Sequence, residues 1–245
     1  MNRLTLGFAL LCWLGSTCQA DEFADRLAEI QSERPADVGR DALIDSYQSL
    51  LDAFPEHPDR GESMFRIATL WEITDPAANI QPDYQESLRW LEKAKDATAK
   101  DHELAHKVRF FIVGRINRDD PEGAKRLLQE ILKNTRSSIT VVKVHHERQR
   151  IAIQQDDFAE AERICRMLQD WMIDKSRQPE STFAKGKYFE QIQSSASMMM
   201  NGWAEANWPF EARKKKIDGL LETYQGRQYM RELHQETIEL MEQRR

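Results

Sequence analysis

One phrase recurs three times in this chain at a fixed interval. Asp83, Asp120 and Asp157 are spaced 37 residues apart. In the same register fall Ser87, Ala124 and Ala161, then Arg89, Arg126 and Arg163, then Trp90, Leu127 and Ile164. Self-similarity at a period between about 20 and 50 residues marks a stack of supersecondary units, none of which can bury its apolar face alone. The recurrence therefore predicts a repeat array that presents surface to partners.

The units are predicted to be helical. Of 245 residues only 10 are Gly and 8 Pro, and 40% are apolar, spread along the chain at helical spacing. Ile139 to Val144 is the single β-flavoured stretch, too isolated to build a sheet. From Asp41, Leu43, Tyr47, Leu50, Leu51 and Phe54 mark a first helix that Pro55 stops. Met64, Ile67, Ala68 and Trp71 mark a second, ending near Asp75-Pro76. Asp83 then caps a helix carrying Ser87, Leu88, Leu91 and Ala94, and Leu104, Ala105, Val108, Phe111 and Ile112 belong to its partner. Asp120-Pro121 supplies N-cap and first-turn chemistry for the next helix, with Ala124, Leu127, Leu128 and Ile131. Its partner runs from about Ile139 to Gln155, and Asp157 caps Ala161, Ile164, Cys165 and Leu168. The small residue four positions after each Asp is expected where two helices cross closely.

This pattern resembles the tetratricopeptide family of helix-turn-helix repeats, whose usual period is about 34 residues. The wording from Tyr47 to Pro58, Tyr-Gln-Ser-Leu-Leu-Asp-Ala-Phe-Pro-Glu-His-Pro, is similar to repeats of bacterial cell-envelope members. The resemblance covers residues 41–175. It implies an all-α, TPR-like α-solenoid of stacked antiparallel helix pairs, with a groove lined by the first helix of each pair. Residues 181–245 leave the register. Phe183, Tyr188, Ile192, Ala196 and Met199 suggest a helix that Asn201-Gly202 ends, followed by an aromatic link from Trp203 to Phe210. Further helices are expected through Ile217, Leu220, Leu221 and Tyr224, and from Tyr229 to Met241. Residues 176–245 thus form a C-terminal helical cap, as solenoids need at an exposed end of their core. Met198 to Met200 with Trp203, Trp208 and Phe210 belong to it.

The amino terminus has a separate logic. Arg3 precedes an apolar run from Leu4 to Leu14, Gly15 breaks it, and Cys18 and Ala20 place small residues before Asp21. Residues 1–20 have the form of a secretory signal peptide, with an uncleaved anchor as the rival. A polar lead-in over 21–40 follows, with one short helix. Export to a periplasm or cell envelope is the expectation, with membrane contact only through this segment. Cleavage would leave Cys165 as the one cysteine, so no internal disulfide is expected, and Cys165 is read as a small buried hydrophobe. The chain carries a net charge of −6, which loss of Arg3 makes −7, so general affinity for nucleic acid is not expected.

Four groups of side chains are candidates for function. His102-Glu103-Leu104-Ala105-His106 is a literal H-E-x-x-H, which on a helix can bind zinc with the Glu as general base. Lys100 and Lys107 flank it, no third His follows at metzincin spacing, and the apolar residues of that helix leave both His towards solvent. His145 and His146 are adjacent, so they diverge by about 100° on a helix and do not share one metal; they read as surface histidines. The Lys214 to Lys216 run reads as a solvated face. Arg89, Arg126 and Arg163 could form a ladder across stacked helices that takes the carboxylates of an acidic peptide. Each also has acids on its own helix at i±3 or i±4: Glu86 and Glu92, Glu122 and Glu130, and Glu160. The sequence is thus read as an exported interaction scaffold for a protein or peptide, without catalysis or cofactor. A zinc-dependent hydrolase built on His102-Glu103-x-x-His106 is the alternative.

Overall fold

The computed structural model describes residues 22–74, 80–99, 102–176, 185–221, 239 and 242, with side chains for these apart from 172–193, 220 and 221. The expected signal peptide, the Asp75-Pro76 stop, Phe183, Tyr224 and almost all of the final helix lie outside them. Among the described residues the chain is all-helical. It divides into two compact units, one ending at Ile116 and the other beginning at Asn117.

The first unit holds α1 (residues 22–32), α2 (Pro35–Val38), α3 (Arg40–Ala53), α4 (Arg60–Leu70), α5 (Tyr84–Ala97) and α6 (Glu103–Ile116). From α2 onward each helix packs on the next, most extensively α4 on α5. Leu43, Ile44 and Tyr47 of α3 meet Ile67 and Leu70 of α4, with Trp71 and Trp90 packed against the cluster. Burying such side chains contributes about 1.5–3 kcal/mol each, which outweighs the weak intrinsic stability of helices this short. The helix expected to include Trp71 closes one residue earlier, and Trp71 is its C-cap, its N–H donating to the Ile67 carbonyl.

The second unit holds α7 (Pro121–Asn134), α8 (Ser138–Gln154), α9 (Phe158–Ser176), α10 (Lys185–Glu205) and α11 (Phe210–Leu221). Here α7 packs on α8, α8 on α9, and α10 on both α8 and α9. Its core joins Val142 and Ala152 of α8, Ile164, Cys165 and Leu168 of α9, and Met199, Met200 and Trp203 of α10. The Met and Trp side chains of this segment therefore fill an interior, with Trp208 and Phe210 packed against it. The stretch from Ile139 to Val144 is helical: Val142 with Gln149, and Val144 with Ile151, stand seven residues apart and are buried together, a helical rather than a strand period.

The recurrent phrase has a physical basis in each helix. Asp83 accepts from the Gln85 and Glu86 backbone N–H groups at 3.1 and 3.0 Å, Asp120 from Gly123 at 2.8 Å, and Asp157 from Glu160 at 3.1 Å. These are N-caps that satisfy otherwise unpaired helix donors. Ser87, Ala124 and Ala161 are each 0% exposed, as expected of small residues at close crossings. The helix end expected at Asn201-Gly202 is not found there, since both residues lie inside α10. A Cβ on Gly202 would stand 2.5 Å from Cγ2 of Ile153, so the glycine serves the approach of α10 to α8 rather than a helix end.

Candidate functional site

A cleft of about 320 Å³ opens in the second unit among α7, α8 and α9. Helical spacing assembles its walls. Lys125 and Gln129 of α7 stand four residues apart, as do Arg148 and Ala152 of α8, and Asp157, Glu160 and Ile164 follow at intervals of three and four at the start of α9. Ala152 and Ile164 are apolar and buried, while Arg148 and Glu160 are half-buried and Lys125 is half-exposed at side-chain level.

The polar groups of the cleft are unequally committed. Glu160 takes both donors of the Arg163 fork, Nε at 2.6 Å and Nη2 at 2.7 Å. Arg148 Nη2 is ion-paired with the same carboxylate at 3.6 Å, just beyond hydrogen-bond distance. Lys125 donates to Glu122 at 2.7 Å, and Asp157 is engaged as the α9 cap. The hydrogen bond from Arg163 holds the Glu160 carboxyl below its usual range, with smaller help from the charges of Arg148 and Lys125 and against a desolvation penalty. Of the two cations lining the cleft, Arg148 is therefore the one without a hydrogen bond to the described residues. Its N–H groups are available to an incoming carboxylate or similar anion.

His145 lies one turn before Arg148 on α8. It is half-buried, and its pKa is lowered to about 4, by burial first and then by Arg148, His146 and Arg163. At neutral pH it adds no charge. His146 is half-buried too, so the reading of both as surface histidines is corrected. They sit where α8 packs into the second unit.

The other candidate residues have these settings. Arg89 pairs with Glu86 at 2.8 Å within α5. Arg126 approaches the Asp120 cap, at 3.9 Å. Arg163 is committed to Glu160, as expected from their spacing. His102 is exposed and its Nδ1 accepts from the Leu104 N–H at 3.2 Å, which makes it a cap at the start of α6. His106, expected to face solvent, is 8% exposed. The buried face of α6 is broader than its aliphatic residues indicate, because it also takes in Arg109. Among the described residues no group of three His, Cys, Asp or Glu side chains is placed to hold a metal ion.

Lys216 pairs with Glu162 at 2.8 Å, so part of the Lys214 to Lys216 run is tied to α9. Cys165 is 0% exposed, and burial pushes its thiol up to about 11. No repeat in the sequence marks Arg148, and the residue one period earlier is Phe111. The available signal was the Arg148–Ala152 pair on one face of α8, beside a helix start rich in acids.

Comparison with protein-family models, with curated protein sequences and with solved structures finds no match.

Proposed function

We propose that this protein is an exported, TPR-like scaffold that binds a protein or peptide partner and performs no catalysis. In this reading the helix pairs stack as an α-solenoid, and residues 1–20 serve as a signal peptide that delivers the chain to a periplasm or cell envelope. The partner is acidic at its point of contact, and neither nucleic acid nor a lipid surface is the target. The observation that carries the reading is the Arg148 guanidinium, half-buried in a cleft between repeat-register helices and free of hydrogen bonds to the described residues. Arg126 belongs to the same α7 that supplies Lys125 to the cleft, Arg163 holds Glu160, and Arg89 is the position one period earlier in sequence than Arg126.

The test is a crosslinking pull-down from the exported fraction with the intact protein and two variants, Arg148→Glu and Arg126→Glu, each checked for unchanged helicity. Loss of the same partner band from the variants supports the reading. Equal recovery with all three proteins overturns it.

A further inference from the structure

We propose that Arg163 is a positioning residue that holds the Glu160 carboxylate away from Arg148, so that the Arg148 fork stays open to a carboxylate carried by the partner. This rests on the cleft being the partner-binding site. Arg163 and Arg148 flank one carboxylate. Arg163 takes both of its oxygens at 2.6 and 2.7 Å, and Arg148 is left at 3.6 Å. Only 27% of the Arg148 side chain is exposed, so its stem is largely packed while its guanidinium keeps contact with solvent. A guanidinium with open donors binds a carboxylate through charge-assisted hydrogen bonds.

The rest of the cleft is mixed: Asp157 and Glu160 are acids that an incoming carboxylate must avoid, the first engaged as the α9 cap and the second by Arg163. Ala152 and Ile164 offer an apolar bed for a methylene stem. Lys125 is already held by Glu122, and neutral His145 neither competes for the anion nor repels it.

The alternative state is close at hand. Glu160 needs to move by less than about 1 Å to bring the 3.6 Å separation into hydrogen-bond range. Without the Arg163 fork, Glu160 would close onto Arg148 and occupy the position meant for the ligand. Arg163, the third member of the recurrent arginine set, then acts on binding without touching the ligand.

Two readouts test this separately. The first needs no ligand: the Glu160 carboxyl is titrated by carbon-detected NMR. Its midpoint should be depressed in the natural protein and stay depressed in Arg163→Gln, where Arg148 takes over. It should return to the ordinary glutamate value in Arg163→Gln/Arg148→Gln. A return to the ordinary value in Arg163→Gln alone overturns the proposal.

The second readout is binding of a fluorescein-labelled tetraglutamate peptide at low salt, with an amidated tetraglutamine peptide as control. Arg163→Gln should weaken binding about tenfold, and adding Glu160→Gln should restore it to within about threefold. Arg148→Gln should abolish it in every background. Failure of Glu160→Gln to rescue overturns the proposal. Absence of binding by the natural protein, with the titration pattern as expected, overturns instead the cleft as a binding site while the arginine exchange stands.

Discussion

Gln149 of α8 and Ser195 of α10 exchange two hydrogen bonds. The Gln149 amide donates to the Ser195 carbonyl at 3.0 Å, and the Ser195 hydroxyl donates to Gln149 Oε1 at 2.7 Å. Both residues are 0% exposed. Gln149→Leu would leave the carbonyl and the hydroxyl buried without these partners, at a cost of about 2–3 kcal/mol. Denaturant unfolding of the variant should show it, and a loss below about 0.5 kcal/mol would remove the pair from the account of the second unit.

His145 predicts the acid limb of stability. Its folded-state pKa lies below its ordinary value of 6.5, at about 4, so the unfolded chain binds the proton more readily. The resulting stabilisation is complete above pH 6.5 and is lost as pH falls towards 4. His145→Gln should remove roughly 1–2 kcal/mol of that pH dependence, the shift being discounted for partial solvent screening. Parallel acid limbs in both proteins would contradict the burial assigned to this imidazole.

Cys165 predicts the opposite limb. Its thiol is raised from 9.0 to about 11 by burial, so the unfolded state loses the proton first. Stability is intact below pH 9 and falls between 9 and 11, by at most about 1.4 kcal/mol per pH unit. Subtracting the profile of Cys165→Ala isolates this from other groups that titrate there, such as Tyr47. Peptide-resolved alkylation should also leave Cys165 unmodified until denaturant is added, and labelling of the folded protein would refute its burial.

The three caps should be separable by substitution. Asp83→Ala, Asp120→Ala and Asp157→Ala are each expected to cost about 1 kcal/mol, and the corresponding asparagines only a few tenths. Thermal melts measure this directly. Equal losses for alanine and asparagine would assign the effect to charge rather than to the capping hydrogen bond.

Two glycines should respond in opposite directions. A methyl group added at Gly114 of α6 would have nothing within 4 Å, so Gly114→Ala should stabilise by about 0.5–1 kcal/mol through helix propensity. Gly202→Ala meets Ile153 and should destabilise by about 1–3 kcal/mol. Stabilisation by both would mean that α10 and α8 yield easily.

What the sequence made legible was the local grammar of the helices. The aspartate caps, the small residues at Ser87, Ala124 and Ala161, the starts of α5, α7 and α9, the end of α3 and the approximate span of α8 all follow from chemistry local in the chain. What it hid depends on contacts distant in the chain. Gly202 carries the usual signature of a helix end, and only the neighbouring Ile153 explains why the helix continues. His106 looks solvent-facing until the breadth of the buried α6 face, which also takes in Arg109, is known. Arg148 is the clearest case. Periodicity drew attention to Arg126 and Arg163, which are mostly exposed and have acids nearby. The less exposed and less committed arginine stood outside the repeat.

The turn between α8 and α9 carries a consequence of its own. Asp156 adopts a left-handed backbone, with φ at 57°, and joins the two helices through three residues. A one-residue insertion or deletion there that shifted the helical register of α9 would turn its faces by about 100°. Glu160 and Ile164 would leave the cleft together, although every side chain remained. Specificity could thus drift in evolution by a change of length at one bend, with no substitution in the wall of the cavity.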